Sequence, residues 1–378
     1  MSAASPRIVA HCRAGFEPEA AADLRRVAAA AETDVDVDAP VGRGFVVATL
    51  RTFDSQRWPR ALLLAPPVFV RALFFGTGPH RLFDPERTKG RPDRVAPIAA
   101  LIEAFRAEFP LPGAAHASRG QLVFGTLHLE TPDTNDGKEL SGVCKAIAKP
   151  LAEQSRDAGA FIANGAPGLP ALHVLFVDGA HVFIGASLAP WGSPWAMGIP
   201  RLRMPAGAPS RSTLKLVEAI HTFLGGQEVE LLHAGMRAVD LGAAPGGWTW
   251  QLVHRGLRVT AVDNGPLKGD IADDPLVTHL RVDGLSYIPR KPVDWMVCDI
   301  VDQPSRIASL VARWIGEGHA RRAIFNLKLP MKKRFDEMLR CEAIIRETLT
   351  RGRVKHTLAL RQLYHDREEI SGYCAKVG

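Results

Sequence analysis

Residues 238–250 read Ala-Val-Asp-Leu-Gly-Ala-Ala-Pro-Gly-Gly-Trp-Thr-Trp, and this stretch decides the fold class. It predicts an apolar strand that ends at Asp240, a glycine-rich turn, and a helix that opens near Trp248. A turn without Cβ atoms lets a nucleotide-like ligand approach the backbone closely. The turn lacks the fingerprint G-x-G-x-x-G of hydride-transferring enzymes. Its pattern D-x-G-x-x-P-G-G instead indicates a ligand that carries an adenosine but no pyrophosphate, and S-adenosylmethionine is such a ligand.

Apolar segments after this turn predict four more parallel strands, at 257–263, 279–283, 293–299 and 323–329. The first three end in Asp263, Asp283 and Asp299, and the fourth carries Lys328. In an open α/β sheet, ligands bind beyond the carboxyl ends of the strands. We therefore expect Asp263 to accept hydrogen bonds from ribose hydroxyls and Asp283 to accept one from an adenine amino group.

Lys328 is the candidate general base. Burying the charged amine of a lysine at the end of a strand costs free energy unless the amine pairs with an opposite charge or its pKa falls. We expect the pKa of Lys328 to fall toward neutrality, which would let the amine take a proton from a hydroxyl nucleophile. Asp299 would orient the lysine, and Lys215 would lower its pKa by like-charge repulsion, unless Lys215 is a solvated residue of a first helical turn. Ser212 or Thr213 is expected to cap the helix that carries Lys215.

The motifs of residues 210–374 resemble those of Rossmann-like ribose 2′-O-methyltransferases that use a Lys-Asp-Lys-Glu tetrad. Several segments are more specifically similar to the bacterial family that methylates a cytidine ribose in large-subunit (23S) ribosomal RNA, and the similarity covers nearly the whole chain. These segments are Met-Gly-Ile-Pro-Arg-Leu (197–202), Ser-Arg-Ser-Thr-Leu-Lys (210–215), Val-Asp-Asn-Gly-Pro (262–266), Phe-Asn-Leu-Lys-Leu-Pro-Met-Lys-Lys-Arg (325–334) and Arg-Gln-Leu-Tyr-His-Asp-Arg-Glu-Glu (361–369).

The resemblance implies a fold and a set of site residues. The fold is α/β, with a mostly parallel seven-stranded sheet whose last strand, near 369–376, is antiparallel. Lys328 would accept the proton, with Lys215 and Asp299 beside it. The fourth tetrad residue would be Glu369, with Glu368 and His365 as alternatives. The residues implied to contact S-adenosylmethionine are Ser212, Ala244, Pro245, Gly246, Gly247, Asp263, Asp283 and Asp299.

The N-terminal half is organised differently and carries no catalytic motif. Residues 1–76 predict a small α+β, ferredoxin-like subdomain, with strands at 7–12, 44–50 and 67–75 and helices at 16–31 and 55–65. Residues 77–189 predict a second α+β unit, with helices near 97–109 and 138–157 and strands at 121–130, 171–177 and 181–187. The resemblance implies that this second unit is a THUMP-like RNA-binding domain. A proline-rich linker over 190–209 leads to the Rossmann-like methyltransferase domain over 210–378.

Charge favours a polyanionic partner. The 378 residues carry a formal net charge of +7, which is typical of proteins that bind nucleic acid. The run Lys332-Lys333-Arg334 follows Lys328 closely and is a candidate for holding substrate phosphates, or else a solvated helix face. Lys138, Lys145 and Lys149 recur on one side of a predicted helix. They are candidates for RNA contacts, or else they form a solvated helix face.

Other classes of protein are disfavoured. The five cysteines, at 12, 144, 298, 341 and 374, form no C-x-x-C pair, so neither a metal site nor a disulfide framework is predicted. No run reaches the roughly 20 apolar residues of a membrane span. The start, Met-Ser-Ala-Ala-Ser-Pro-Arg, lacks the basic and apolar segments of a signal peptide. We expect a cytoplasmic monomer without a membrane partner.

The sequence thus predicts S-adenosylmethionine-dependent 2′-O-methylation of a cytidine ribose in large-subunit ribosomal RNA, before the subunit is fully assembled. One alternative is an RNA base methyltransferase, but Asp299 is followed by Ile-Val-Asp-Gln-Pro rather than by an Asn-Pro-Pro-Tyr-like motif. Another is a non-catalytic RNA-binding protein that retains the fold. Such a protein would be expected to lose the glycines of the turn or Lys328, and this chain keeps both.

Overall fold

The computed structural model describes residues 6–51, 54, 56–109, 111, 121–161, 168–189 and 191–377. The chain divides into two compact units, Met1–Pro200 and Arg201–Gly378. The division falls within the segment predicted as the linker, whose first residue, Pro190, lies outside the described residues. Each unit contains a seven-stranded sheet.

The first unit is an α+β unit built on one continuous sheet. Its elements in chain order are β1 (Arg7–Cys12), α1 (Glu17–Ala30), β2 (Val35–Asp38), β3 (Phe45–Leu50), α2 (Arg57–Leu64), β4 (Val70–Arg81), α3 (Val95–Glu108), β5 (Thr126–Glu130), α4 (Asn135–Asp157), β6 (Ala171–Phe176) and β7 (His181–Ser187). The strand order is β2-β3-β1-β4-β7-β6-β5. Only β5 and β6 pair in parallel among these described strands.

Strand β4 crosses the subdomain boundary predicted at residue 76. Its first half pairs with β1 and its second half pairs with β7. The short edge strand β2 was not predicted, because its Val-Asp alternation offers only half-exposed and exposed positions. Residues 1–76 and 77–189 therefore contribute to a single sheet.

The second unit has the Rossmann-like α/β fold. Its elements are α5 (Ser212–Leu224), α6 (Glu228–Leu231), β8 (Arg237–Leu241), α7 (Gly247–Val253), β9 (Arg258–Val262), β10 (Val277–Leu280), β11 (Val293–Cys298), α8 (Pro304–Gly316), β12 (Ala320–Lys328), α9 (Arg334–Arg351), β13 (His356–Arg361) and β14 (Glu369–Lys376). The strand order is β10-β9-β8-β11-β12-β14-β13.

The pairing confirms the predicted sheet. Strands β8 to β12 are parallel to one another, and β14 runs antiparallel to β12. The chain order reverses between β8 and β11, and in such folds the ligand binds at this switch point. The position of the seventh strand, β13, was not predicted, because only one of its six residues, Leu360, is buried at this edge of the sheet.

Apolar layers cover the central strands. Trp295 and Val297 of β11 are fully buried in a cluster with Leu216 and Ile220 of α5 and with residues of α7. Helix α8 packs against β12 and α9. Strands buried on both faces read as continuous apolar runs, which is why these strands were recognisable in the sequence.

Two local predictions were wrong. The strand predicted at 279–283 is β10, which ends at Leu280. Its partner β9 ends at Val262, opposite Leu280, so Asp283 lies beyond the paired region, where its carboxylate accepts a turn hydrogen bond from the Leu285 N–H at 3.1 Å.

The predicted helix cap is also absent. Neither Ser212 nor Thr213 is the N-cap of α5, because Arg211 occupies that position with helical backbone angles.

No helix in the part of the chain that the structure describes is both long and apolar enough to cross a bilayer. Within the same ranges, no group of His, Cys, Asp and Glu side chains is arranged to hold a metal ion. All five cysteines are free and buried. Burial raises the pKa of the Cys298 thiol to about 12, so this thiol stays protonated.

Candidate active site

Four charged side chains meet beyond the carboxyl ends of β11 and β12. Asp299 follows β11 directly, Lys328 is the last residue of β12, and Glu369 is the first residue of β14. Antiparallel pairing places Lys328 opposite Glu369. Lys215 comes from the first turn of α5. Each of the four side chains is less than a quarter exposed, so the charges lie mostly outside bulk water.

The four side chains form a closed ring of ion pairs. Lys328 Nζ donates to Asp299 Oδ1 at 2.6 Å and also contacts Glu369 Oε2. Lys215 Nζ lies 3.8 Å from Asp299 Oδ2 and contacts Glu369 Oε1. Each carboxylate therefore bridges both ammonium groups. Such pairing offsets the cost of removing each charge from water.

The pKa of Lys328 is raised, and the expectation that it would fall was wrong. Burial acts to lower this pKa, but the charges of Asp299 and Glu369 and their hydrogen bonds outweigh burial and raise it to about 12. The expected fall relied on repulsion by Lys215, whereas Glu369 contacts both lysines and adds a second carboxylate beside Lys328. In this arrangement Lys328 is an ammonium ion at neutral pH.

The structure separates the three candidates for the fourth charged residue. Of these, Glu369 alone contacts the lysines. The Glu368 side chain is 60% exposed and pairs with Arg334 at 3.1 Å. The His365 ring lies 2.6 Å from Glu218.

A buried hydrogen-bond chain supports Asp299, and sequence reasoning missed it. Asn326 Nδ2 donates to Asp299 Oδ1 at 3.1 Å, and Ser371 Oγ donates to Asn326 Oδ1 at 2.8 Å. Ser371 Oγ also lies 3.1 Å from Asp366 Oδ2. Asn326, Ser371 and Asp366 are fully buried. The available signal was Asn326 itself, a polar residue inside an apolar strand and two positions before Lys328, hence on the same face.

The Ser371 hydroxyl lies within donating distance of two acceptors. It has one proton, which it can donate to Asn326 Oδ1 or to Asp366 Oδ2. Burial, followed by the charge of Glu369, raises the pKa of Asp366 well above its ordinary value. This shift favours the neutral acid, which can donate to Ser371 and leave the serine proton for Asn326.

The glycine-rich turn lies at the ends of β8 and β9, on the same edge of the sheet. Gly242 and Gly246 adopt left-handed φ angles of 79° and 113°, which glycine reaches without strain. The Ala244 N–H donates to Asp263 Oδ2 at 3.0 Å, and the Gly265 N–H donates to Asp263 Oδ1 at 2.7 Å. The carboxylate is thereby fixed against the turn.

Two residues of the motif have packing roles. A Cβ atom on Gly247 would collide with the hydroxyls of Ser210 and Ser212, so this glycine lets α5 approach α7. Asp240, which sequence reasoning treated as a strand end, is fully buried and accepts a hydrogen bond from Thr249 Oγ1 at 2.6 Å. Burial raises the pKa of Asp240 to about 7.

The edge of the sheet fits an adenosine-carrying methyl donor. The turn before α7 brings bare backbone to the switch point, and Asp263, at the end of the neighbouring strand, is only partly buried. Apolar side chains of Ala243, Leu267 and Ile271 line the region beside it. The exposed Asp283 lies beyond β10, outside this framework of paired strands.

Three family models match the chain. Residues 5–74 match the RlmM ferredoxin-like domain, and residues 93–188 match the N-terminal region of ribosomal RNA large subunit methyltransferase M. Residues 208–315 match the FtsJ-like methyltransferase family. The last match includes Lys215, Asp263 and Asp299 and ends before Lys328.

Curated relatives extend the similarity over the whole chain. Ribosomal RNA large subunit methyltransferase M of Azoarcus sp. is 45% identical, covering 97% of this chain and 95% of that protein. The proteins of the same name from Thauera aminoaromatica and Methylococcus capsulatus are 46% and 44% identical, each over 97% of this chain and over 95% and 97% of their own lengths. The chain belongs to the ribosomal RNA large subunit methyltransferase M family.

Membership of the methyltransferase M family makes the chain an enzyme that transfers methyl groups. Its methyl donor is S-adenosylmethionine, in agreement with the FtsJ-like match and with the glycine-rich turn. Because relatives of the methyltransferase M family match beyond residue 315, the similarity includes β12 and β14, which carry Lys328 and Glu369.

Proposed function

We propose that the chain methylates the 2′-hydroxyl of a cytidine ribose in large-subunit ribosomal RNA. One observation carries the proposal: two lysines and two carboxylates form a partly buried ring at the switch point of a methyltransferase sheet. A ribose hydroxyl is a poor nucleophile at neutral pH, and a ring that contains a lysine amine can accept its proton. The choice of cytidine rests on the resemblance alone.

The proposed roles follow from the contacts. Bound S-adenosylmethionine supplies the methyl group and a positive sulfonium charge. The neutral amine form of Lys328, which first loses a proton to solvent, accepts the proton of the 2′-hydroxyl as the oxygen forms its bond to the methyl carbon, with the two atoms roughly 3 Å apart and in line beforehand. Asp299 holds the Lys328 amine in place through the 2.6 Å contact. Glu369 ties the amines of Lys328 and Lys215 together.

Residues of the turn would hold the donor. Asp263 would accept from ribose hydroxyls, and the turn residues Ala244, Pro245 and Gly246 would approach the adenosine. Ser212, Gly247, Asp283 and Asp299 complete the proposed set. When the donor is bound, its positive charge would lower the pKa of a nearby lysine by repulsion and would oppose the effect of the two carboxylates on Lys328.

The first unit would recruit RNA. We propose a THUMP-like role for residues 77–189, with contacts from α4, on which Lys138, Lys145 and Lys149 are all exposed. Residues spaced by seven and four positions share one side of a helix. A nucleotide inside a duplex could not reach the ring of charges, so the substrate is loosely structured RNA from which the target nucleotide is extruded. We propose that the chain acts as a cytoplasmic monomer on RNA that is not fully assembled.

The test is a methyl-transfer assay with labelled S-adenosylmethionine and unmodified large-subunit ribosomal RNA, followed by digestion to nucleosides. We expect label in 2′-O-methylcytidine with the wild type, and at least a 100-fold lower rate with Lys328→Ala. Donor binding should be unchanged in the variant. Lys291→Ala is the matched control, because Lys291 is exposed and precedes β11 at the opposite edge of the sheet.

Three outcomes would contradict parts of this proposal. Label on a nucleobase would contradict ribose methylation. Equal rates for Lys328→Ala and the wild type would contradict the role of Lys328. Faster methylation of assembled subunits than of free RNA would contradict the proposed substrate state.

A further inference from the structure

Two highly exposed apolar side chains flank the ring of charges. Val301 follows Asp299 by two residues, and Met331 follows Lys328 by three. Their side chains are 83% and 89% exposed. Because β11 and β12 are adjacent parallel strands, the loops that carry these residues leave the sheet at the same edge.

This exposure is concentrated at the site. Single exposed apolar residues are ordinary on protein surfaces. Among the large apolar residues of the described ranges, however, three are more than four-fifths exposed, and two of them are Val301 and Met331. The third, Val229 of α6, is 84% exposed and belongs to a helix that precedes β8, away from the carboxyl ends of the strands.

Positive charge adjoins these apolar side chains. Lys332 and Lys333 follow Met331 directly and are both exposed. The ring itself contains two ammonium groups and two carboxylates, so it contributes little net charge. The exposed lysines of the loop after β12 therefore add positive charge at this edge.

An apolar surface beside exposed lysines matches an unstacked nucleotide. The faces of a base are apolar, and the flanking phosphates are anionic. We propose that Val301 and Met331 form an apolar rim that receives the base of the extruded target nucleotide, while Lys332 and Lys333 hold the phosphates next to it. This inference rests on the proposed function and adds to it the surface that recognises the substrate.

The rim explains how a sugar hydroxyl is presented to a polar ring. A base held on Val301 and Met331 lies outside the ring, and its ribose then reaches inward to Lys328. Binding energy from the base, which does not react, thus orients the reacting oxygen. Loss of the rim should raise the KM for RNA and leave donor binding unchanged.

The first experiment compares Val301→Ser and Met331→Ser with Val229→Ser, the control of equal exposure. The substrate is a short RNA that contains the nucleotide methylated by the wild type. We expect about a tenfold higher KM for RNA in each rim variant, within the range that base contacts contribute, and no change in Val229→Ser. Equal effects of all three substitutions would contradict the rim.

The second experiment removes the base instead of the side chain. An RNA with an abasic nucleotide at the target position keeps its 2′-hydroxyl but has nothing to place on the rim. On this RNA, the wild type and Met331→Ser should have the same KM. If Met331→Ser still raised the KM tenfold, Met331 would act on something other than the base, such as the RNA backbone.

The third experiment tests the lysines. Lys332→Gln and Lys333→Gln should each weaken RNA binding for every sequence and reduce the slope of log affinity against log salt by about one. Lys291→Gln should change neither. An unchanged slope in both loop variants would contradict phosphate contacts.

Different measurements test the rim and the proposed function. The identity of the methylated nucleoside made by the wild type tests ribose methylation. The ratio of variant to wild-type KM on intact and abasic RNA tests the rim. Label in the ribose with no rim effect would overturn this inference alone.

Discussion

Lys328 is the residue on which the proposed proton transfer depends most. With a pKa of about 12, about one side chain in 10⁵ is neutral at pH 7. Below this pKa the neutral fraction rises tenfold for each pH unit. We expect the single-turnover methylation rate, with donor and RNA saturating, to rise with pH from pH 6, by up to tenfold per unit.

This pH profile separates two roles of Lys328. A purely positioning ammonium would give a flat profile, which would contradict the prediction, whereas a plateau above pH 8 would mean that the bound donor lowers the pKa of Lys328 toward neutrality. The contribution of Lys328 to stability is constant over this pH range. A raised lysine pKa contributes stability that is complete below the unfolded pKa of about 10.4 and is lost only as the pH rises through about 12.

The raised pKa of Asp366 predicts how the free energy of unfolding changes with pH. Its pKa is raised by burial and by Glu369, so the folded state favours the neutral acid. The stability that a raised pKa contributes is present below the unfolded pKa of about 3.9, and it is lost as the pH rises toward the folded pKa, by up to about 1.4 kcal/mol per unit. Asp366→Asn is neutral at every pH and retains a donor for Ser371.

We therefore expect the stability of Asp366→Asn relative to wild type to increase between pH 5.5 and pH 8. Urea unfolding at the two pH values measures the difference in the free energy of unfolding. Asp302→Asn is a control, because Asp302 pairs with the exposed Arg306 on the surface. A pH-independent difference for Asp366→Asn would contradict a neutral Asp366.

The sequence predicted the charged residues of the candidate site, because each lies at the end or the start of a helix or strand. Lys328 and Asp299 follow from apolar strands whose ends are visible in the sequence. Asp366 was not predictable as a buried acid, since it stands in a polar run, Tyr-His-Asp-Arg-Glu-Glu (364–369). Its carboxylate contacts the nearby Leu363 N–H and the Ser371 hydroxyl, and nothing in this polar run marks the side chain as buried.

At the scale of elements, strand signals were reliable where both faces of a strand are buried. The strands β8, β9, β11 and β12 are of this kind, whereas β13 and the end of β10 are partly exposed. The position of α5 was predicted only approximately. Its start is set by packing against the turn at Gly247, and not by a serine or threonine cap.

Helix α5 is fixed against the segment before β14 by one buried carboxylate. Glu218 accepts hydrogen bonds from the Tyr364 N–H at 2.8 Å and the His365 N–H at 2.9 Å, and it contacts the His365 ring. Glu218 lies one helical turn after Lys215, and His365 lies four residues before Glu369. This contact therefore links the two elements that bring Lys215 and Glu369 together.

Removal of this contact should impair both folding and catalysis. Glu218→Ala leaves the two partly buried N–H donors unsatisfied, and we expect a loss of about 2–4 kcal/mol in the free energy of unfolding. The methylation rate of the folded protein should also fall, because Lys215 and Glu369 lose their common support. Glu228→Ala is the control, since Glu228 forms a partly exposed pair with Arg255. A stability loss with an unchanged rate would limit Glu218 to a structural role.

At the scale of the whole molecule, the question is how many cooperative units the first 200 residues form. The sequence predicted two subdomains, 1–76 and 77–189, from two sets of elements. The structure joins both sets through β4 into one sheet. It also places a buried carboxylate between them: Glu130 of β5 lies 3.2 Å from the His11 ring of β1 and 3.0 Å from the His173 ring of β6.

Glu130 should hold the first unit together as one cooperative structure. Burial raises the pKa of Glu130, but the two histidines outweigh burial and hold it well below its ordinary value, so the residue is a paired carboxylate. Removing one partner of a buried ion pair costs about 3–5 kcal/mol. We expect Glu130→Ala to lower the free energy of unfolding by this amount. We also expect β1 and β6 to lose their amide-exchange protection together. Glu153→Ala, which removes an exposed partner of Lys149, should change little.

Hydrogen exchange followed by mass spectrometry resolves the two possibilities, because peptides from β1 and β6 are distinct. If the first unit is a single cooperative structure, the exchange rates of both peptides rise by the same factor in Glu130→Ala. If the two predicted subdomains unfold separately, protection falls in β5 and β6 while β1 and β3 keep theirs. The second result would support the predicted subdomain boundary near residue 76, and β4 would then be a strand shared by two domains that unfold independently.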